Sequence, residues 1–371
     1  MKRIFYFLLV AVACCACGST LEVKESGRNT TVSIVGEEFY INGKPTFEGK
    51  TWRGYNIQGL LPNSRMVNGI FDDMNDSTRS KWAYPDTKVW DAERNNREFI
   101  EAMPIWREHN LLAFTINLQG GDPIGYHPDQ PWINSAFRSD GSLIEEYMDR
   151  LEKILDRADE LGLVAIVGVF YCAQERVFDD EEAIKTGLKN ACKWVLDKGY
   201  TNVIIEVGNE SDILFQQPIL LWEKSEGGRV HELIELAKTV KDQSGRRLLV
   251  STSYSGGIVP DQASAKASDF LLIHGNRLES PTLILKQMRE VRLMLGNDIK
   301  PIVYNEDDNY CFEQEFNNFT AATSQHASWG YFDYRVAGDS LNVGFQSLPA
   351  NWTISSTRKA GFFNLIKEWG E

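Results

Sequence analysis

Short apolar runs alternate with amphipathic stretches from about residue 50 to the end of the chain. The apolar runs predict buried β-strands, because they are short and mostly apolar on both faces. The eight predicted strands are Thr51–Asn56, Leu112–Leu118, Val164–Tyr171, Asn202–Glu210, Arg247–Thr252, Phe270–His274, Pro301–Glu306 and Trp329–Tyr334. The helical periodicity between them predicts amphipathic helices over Glu145–Leu161, Glu182–Lys198, Arg229–Lys241, Thr282–Leu295 and Thr357–Trp369. This succession favours an α/β fold of the (β/α)₈ TIM-barrel type over an open doubly wound sheet.

A β-hairpin is predicted ahead of the barrel. Strand formers lie on both sides of a turn signal, Asn42-Gly43, within Val32–Phe47. Residues 18–47 are therefore assigned to an N-terminal segment with a hairpin, and residues 48–371 to one barrel domain without an internal linker. The first predicted strand is followed by no glycine-rich phosphate fingerprint, which counts against a dinucleotide-binding fold.

The first 17 residues are typical of an export signal. Lys2 and Arg3 precede the short apolar run Ile4–Ala13, which is too short to span a bilayer. Three cysteines follow, and a small residue before a cysteine resembles a bacterial lipoprotein signal, with Cys17 favoured over Cys14 as the lipidated residue. This predicts a protein of the bacterial cell envelope, periplasmic or anchored to the outer membrane, that contacts membrane only through its lipid. An ordinary secretory signal is the alternative.

Composition and charge exclude several classes of partner. The 371 residues carry 39 Lys and Arg against 52 Asp and Glu, a net charge of −13, which argues against nucleic acid as a partner. The three cysteines after the signal are too few for a disulfide framework and show no zinc-site spacing. We expect no cofactor and no metal, and the low histidine content counts against a metal-dependent isomerase or lyase.

Two glutamates are predicted at the same mouth of the barrel. Chemistry in TIM barrels lies at the C-terminal ends of the strands. Glu206, Gly208 and Glu210 share one face of the fourth strand by alternation, and Ile302, Tyr304 and Glu306 share one face of the seventh. Glu210 and Glu306 both lie at a strand end, and two carboxylates that flank one bond are what glycoside hydrolysis requires. Strand-end position also makes Asn117, Gln119 and Tyr171 candidates for sugar contacts.

These residues resemble a known family. The run Glu206-Val-Gly-Asn209-Glu210, with a second glutamate at the end of strand seven, resembles the clan A glycoside hydrolases, close to the cellulase-like family 5. The resemblance implies that Glu210 is the acid/base, Glu306 the nucleophile, and Asn209 a ligand of the sugar 2-hydroxyl. It also implies that His274 binds sugar, that Arg53 supports the nucleophile, and that Trp329 stacks under the reacting sugar. Because Trp329 lies early in its strand, Tyr331 and Asp333 are alternatives for that position.

The resemblance implies retaining hydrolysis of β-glycosidic bonds in an oligo- or polysaccharide. The two carboxyl groups should then lie ~5–5.5 Å apart. We expect the charge of Glu306 to raise the pKa of Glu210, and Arg53 and Tyr304 to keep Glu306 ionised. The alternative is a glycan-binding envelope lipoprotein that uses the same barrel without cleaving its ligand.

Overall fold

The computed structural model describes residues 27–125, 127, 129–213, 229–309 and 311–370. The predicted signal, including Cys17, and most of the segment up to the hairpin lie outside the described residues. Within the described ranges, no helix is both long enough and apolar enough to cross a membrane.

A small antiparallel sheet opens the described chain, as the hairpin signal predicts. Its strands are β1 (Val32–Val35), β2 (Glu38–Ile41) and β3 (Lys44–Pro45), in the order β1-β2-β3. Asn42 and Gly43 both have positive φ, 52° and 74°, and form the tight turn between β2 and β3.

The segment predicted as the first barrel strand forms a second hairpin instead. Strands β4 (Thr51–Trp52) and β5 (Tyr55–Asn56) pair with each other and with no barrel strand. Arg53 and Gly54 form the turn between them, with φ of 49° and 82°. The prediction of Thr51–Asn56 as a barrel strand is therefore wrong, and Arg53 lies in an exposed turn.

Eight short parallel strands form the barrel in the described part of the chain. They are β6 (Asn63–Arg65), β7 (Ala113–Asn117), β8 (Val164–Phe170), β9 (Val203–Gly208), β10 (Leu249–Ser251), β11 (Leu271–His274), β12 (Ile302–Glu306) and β13 (Gly330–Tyr331). Six of them form one sheet in the order β10-β9-β8-β7-β6-β13, and β11 pairs with β12. Single bridges connect β12 to the β13 region, and the amide of Asp269 donates to the Val250 carbonyl between the fifth and sixth strands. The TIM-barrel prediction is confirmed.

Helices follow the strands around the outside. They are α1 (Asp76–Arg79), α2 (Ala92–Glu108), α3 (Glu145–Leu161), α4 (Glu181–Asp197), α5 (Val230–Thr239), α6 (Gln262–Ala267), α7 (Pro281–Leu295), α8 (Asn318–Ser324) and α9 (Thr357–Lys367). The five long helices predicted from periodicity are all present. Gly162 ends α3 at φ 74°, and the Ser356 side chain caps α9 by accepting from the amide of Lys359.

The barrel interior is apolar at one end and polar at the other. At the N-terminal end, strand residues such as Val164, Ile204 and Val303 pack with Val32 and Phe39 of the small sheet, which closes that end. Toward the C-terminal end the inward positions become polar, with Asn117, Glu206 and Asn305 fully or almost fully buried there. The polar end, opposite the small sheet, is where the candidate site lies.

Candidate active site

Glu210 and Glu306 meet over the C-terminal mouth of the barrel. Glu210 lies two residues beyond β9 and has φ 51°, a strained conformation that is commonest at functional sites. Glu306 ends β12. One oxygen of each carboxylate and one ring nitrogen of His274 all lie within 4.8 Å of one another. The strand-end argument therefore placed both glutamates at the same mouth.

A bulge in β12 explains how Glu306 reaches the interior. In the pairing of β11 with β12, Ile273 faces Tyr304 but His274 faces Glu306, so that one residue of β12 has no counterpart. The alternation therefore breaks, and Asn305 and Glu306 both contact groups inside the barrel. Tyr304 instead donates its hydroxyl to Gln287 of α7 at 2.8 Å, so the prediction that it supports Glu306 is wrong.

Arg65 holds the position that the sequence assigned to Arg53. Its Nε lies 2.6 Å from Glu306 Oε2, and its Nη2 donates to Asn209 Oδ1 at 2.7 Å. Its Nη1 is 3.9 Å from Glu206. Arg53 instead pairs at 3.3 Å with Glu368, in an exposed ion pair remote from this cluster.

Glu306 is held on both of its oxygens. While Arg65 contacts Oε2, the amide nitrogen of Asn276 donates to Oε1 at 2.5 Å. Glu210 is held more loosely. Its side chain contacts His274, whose Nδ1 lies 3.2 Å from Glu210 Oε1 and 3.7 Å from Glu306 Oε2. The Glu210 side chain is 18% exposed and that of Glu306 is 6% exposed. Glu306 is thus the more rigid carboxylate and Glu210 the more accessible one.

The pKa of each carboxylate is set by several opposing effects. Burial raises the pKa of Glu210, but the hydrogen bond from His274 and the charges of His274, Arg65 and Arg277 outweigh it, so the net direction is downward. Burial also raises the pKa of Glu306, and there it prevails over Arg65 and His274. Burial lowers the pKa of His274, but the two carboxylates reverse this and raise it. We predicted that the pKa of Glu210 is raised, but in the protein without sugar it is lowered, because His274 lies against that carboxylate.

A cavity of about 340 Å³ opens above the two glutamates. Residues at or beyond the C-terminal end of each of the eight strands line it: Arg65, Asp122, His127, Gln130, Tyr171, Cys172, Asn209, Glu210, Ile213, Gly256, Asn276, Arg277, Glu306, Phe332 and Gln346. Its volume is at the lower end of the range for ligand sites. Tyr171, Asn209 and the two glutamates are the predicted residues that it brings together.

The other predicted residues lie below or beside the cavity. His274 is fully buried under the two carboxylates. Asn117 lies deeper in the barrel, against Gly168. A Cβ at position 168 would come within 2.2 Å of Asn117 Oδ1, so only glycine leaves room for this side chain. Gln119 donates to Ser135 and to the Gln174 carbonyl and so fastens loops.

Trp329 lies on the outer side of its strand. Its indole donates to Asp307 at 2.9 Å, and its ring packs against Phe312 and Phe319. Phe332 is the strand-eight aromatic that lines the cavity. Alternation indicates the reason, because Gly330 faces inward against Asn63, and Phe332 lies two residues further along the chain.

A metal ion at this site would have to compete with the guanidinium of Arg65 for the carboxylates. Glu210, His274 and Glu306 are the only group of three or more histidine, cysteine or acidic side chains, among the described residues, that is close enough to ligate one ion. The guanidinium of Arg65 already contacts Glu306 at 2.6 Å. The donor set is therefore better explained as a charge-balanced pair of carboxylates than as a metal centre.

Comparison with known proteins yields structures but no relatives by sequence. No protein-family model matches the chain, and no curated protein matches its sequence. A structure from Bacteroides vulgatus, provisionally assigned as a glycoside hydrolase, matches with a TM-score of 0.52 at 13% identity over 88% of this chain. The chain spans only 60% of the length of that protein.

Two further solved structures match this chain over nearly the whole of their own length. A GH5-4 broad-specificity endoglucanase from Bacteroides salanitronis has a TM-score of 0.53 at 12% identity, over 84% of this chain and 93% of its own. A GH5_4 structure in complex with a cellotriose has a TM-score of 0.52 at 13% identity, over 83% and 95%. At such low identity the likeness concerns the fold, and this chain has the barrel fold found in glycoside hydrolases of family 5.

Proposed function

We propose that this protein is a retaining glycoside hydrolase that cleaves β-glycosidic bonds in an oligo- or polysaccharide. The observation that carries the proposal is the separation of the two carboxylates, with one oxygen of Glu210 within 4.8 Å of one oxygen of Glu306. A gap of this size suits direct attack by one carboxylate, whereas inverting enzymes need room for a water molecule between the sugar and the base. The shared fold with family 5 structures, one of them holding a cellotriose, supports a carbohydrate substrate.

Glu306 is the better candidate for the nucleophile. An attacking carboxylate must be ionised and fixed in direction. The contacts from Arg65 and Asn276 fix the direction of Glu306 and lower its pKa against the larger opposing effect of burial. Glu210 is the better candidate for the acid/base, because its partial exposure lets it exchange protons with solvent between the two steps.

The first step forms a bond between a Glu306 oxygen and the anomeric carbon. The bond from that carbon to the leaving-group oxygen breaks, and Glu210 gives its proton to that oxygen. In the second step a water molecule attacks the anomeric carbon, Glu210 takes a proton from it, and the bond to Glu306 breaks. Each step inverts the anomeric centre, so the product keeps the configuration of the substrate.

Glu210 must hold a proton when the first step begins. A sugar that fills the cavity excludes water from around this carboxyl group. The added desolvation raises the pKa of Glu210, in the same direction as the burial already present in the free protein. Substrate binding thus favours the protonated form that the first step uses.

Other cavity residues fit sugar contacts. Arg65 occupies the Asn209 oxygen and so leaves the Asn209 NH₂ group to bind a sugar hydroxyl. Phe332 and Tyr171 offer ring faces or edges to the apolar side of a sugar. The predicted lipid anchor and envelope location remain predictions, because residues 1–17 lie outside the described part of the chain.

A second candidate function is glycan binding without cleavage. It is favoured by the downward shift in the pKa of Glu210 in the free protein, which leaves the acid ionised before sugar binds. It predicts that the wild-type protein binds glycans but releases no product from them.

The deciding experiment compares the wild-type protein with Glu306→Gln on aryl β-glycosides and on plant and algal glycans. We expect turnover by the wild type, with retained anomeric configuration of the first product by NMR. Glu306→Gln should lose nearly all turnover while sugar binding by calorimetry persists. Glu313→Gln, an exposed glutamate outside the cavity, is the matched control and should behave as wild type. Turnover by Glu306→Gln at the wild-type rate would refute the assignment.

A further inference from the structure

Two loops that are hydrogen-bonded to each other line one side of the cavity. One loop follows β7 and contributes Asp122 and Gln130 to the cavity, and the other follows β13 and contributes Phe332 and Gln346. We call these four residues the end wall. All four are at least nine-tenths buried.

Hydrogen bonds fasten the two loops together behind the end wall. Gln346 Nε2 donates to the Asp122 carbonyl at 3.0 Å, and the Leu348 amide donates to the Pro123 carbonyl at 2.9 Å. Gly125 lies so close to the ring of Tyr334 that a Cβ there would come within 2.5 Å of it. The loops therefore form a continuous barrier across this end.

Arg335 supports the barrier from outside the cavity. Its two terminal nitrogens donate to the carbonyls of Leu348 and Pro349, each at 2.6 Å. Asn68, beyond the first barrel strand, donates to the Gln346 carbonyl at 2.6 Å. These buried and partly buried contacts make the end wall a fixed part of the fold.

The end wall has unused hydrogen-bond acceptors. The side-chain oxygens Oε1 of Gln130 and Gln346 are buried, and neither has a hydrogen-bond partner among the described residues. An unpaired buried acceptor is unfavourable, so such atoms usually bind a water molecule or a ligand group. The hydroxyl groups of a sugar are suitable donors. The Asp122 carboxylate also lines the cavity; it already accepts from the amides of Ile124 and His127 and has lone pairs left for a further donor.

The end wall lies on the side of the sugar that stays on the enzyme. In the ring of eight strands, β13 neighbours the strand of Glu306 and lies opposite the strand of Glu210, whereas β7 lies two strands from that of Glu210 and three from that of Glu306. The β13 loop therefore places the end wall on the Glu306 side. The leaving group must lie on the side of the acid, Glu210. The retained sugar is therefore the one that faces the end wall, whose buried residues and inter-loop hydrogen bonds form a barrier to a longer chain.

From this geometry, and resting on the proposed function, we infer that the protein is exo-acting and removes single sugars from the non-reducing end of a β-linked glycan. The end wall binds the hydroxyls of the terminal sugar through Gln130, Gln346 and Asp122. This differs from the endoglucanases of similar fold, which are named for internal cleavage.

The test follows the products of the wild-type protein. Para-nitrophenyl β-glycosides of glucose, galactose, mannose and xylose first identify the sugar that is cleaved. Whether or not these aryl glycosides are cleaved, β-linked pentasaccharides of the same four sugars, labelled at their reducing ends, and the corresponding polymers are then digested. We expect labelled products that shorten by one unit at a time, and a polymer whose viscosity hardly falls while free monosaccharide accumulates.

Labelled fragments of several lengths in the first minutes, or a steep early fall in viscosity, would overturn the inference and leave the proposed function intact. Absence of cleavage of every substrate would overturn the proposed function and the inference with it. The two failures are thus distinguishable.

A variant tests the end wall itself. Gln346→Leu removes the amide but keeps similar bulk, and we expect about a tenfold fall in kcat/KM for the aryl glycoside, mostly through KM. Gln325→Leu, at the end of α8 and outside the cavity, is the matched control. Equal kcat/KM for Gln346→Leu and the control would show that the end wall binds no hydroxyl and would overturn that part of the inference.

Discussion

Arg65 and Arg53 offer a matched pair for testing the electrostatics of the site. Arg65 lies 2.6 Å from Glu306, and both side chains are almost fully buried, as is that of Glu206 nearby. Arg53 and Glu368 form an ion pair in which the side chains are 34% and 43% exposed. The same substitution, Arg→Met, therefore removes a buried cation at one position and a solvated one at the other.

We expect Arg65→Met to lower the free energy of unfolding by about 3–5 kcal/mol near neutral pH, because it leaves two buried carboxylates without their cation. Arg53→Met should cost less than about 1 kcal/mol, since water and salt already screen that pair. Only Arg65→Met should also abolish glycosidase activity.

The loss of unfolding free energy in Arg65→Met should depend on pH. Burial raises the pKa of Glu306 above its ordinary value of 4.5, and Arg65 opposes that rise. Without Arg65 the folded-state pKa of Glu306 rises further, so the folded protein binds this proton more tightly than the unfolded chain. Stability is then lost as pH increases from about 4.5 through the folded-state pKa, and the deficit is smallest in acid.

Urea unfolding at pH 5 and pH 8, followed by tryptophan fluorescence, measures both effects. Similar unfolding midpoints for the two variants, or a deficit of Arg65→Met that is the same at both pH values, would refute the reasoning.

Two further substitutions probe titratable groups near the site. His274→Asn removes the hydrogen bond and the charge that lower the pKa of Glu210, so the alkaline limb of the kcat/KM profile should move to higher pH; an unmoved limb would contradict this. Burial raises the pKa of Asp307 from 3.8 to about 7. The contribution of Asp307 to the free energy of unfolding therefore falls by at most about 4 kcal/mol as pH rises from about 3.8 to about 7. Asp307→Asn should remove that part of the pH dependence of Tm, and an identical slope in the variant would count against it.

The order of strands and helices was predictable because most of them carry strong patterns. Strands such as Val164–Phe170 are continuously apolar, and helices such as Glu145–Leu161 have a complete amphipathic repeat. The two glutamates could be found because the strand-end rule depends on topology, which those patterns determine.

The first barrel strand was missed because it carries almost no pattern. It has three residues, Asn63, Ser64 and Arg65, all of them polar and all buried. Local periodicity instead favoured Thr51–Asn56, whose alternation belongs to a surface hairpin. The arginine of the site was misplaced with it, although the apolar neighbours Leu60, Leu61, Met66 and Val67 were a signal that Arg65 is buried.

The remaining errors concern which way side chains point. Tyr304 was placed beside Glu306 by strict alternation, and a single bulge reversed its face. Trp329 was placed in the site although it points toward the helices. The pKa of Glu210 depends on a histidine more than 60 residues away in sequence, a contact that pattern alone does not give.

The small N-terminal sheet also places the start of the described chain at the end of the barrel opposite the cavity. The described chain begins on the far side of the barrel. There the Thr30 amide donates a hydrogen bond to the Asp159 carboxylate near the end of α3, and the Val32 amide donates to the Thr201 carbonyl just ahead of β9. If Cys17 carries a lipid, the tether leaves from this underside. The opening would then point away from the bilayer, toward glycans arriving from the surrounding medium.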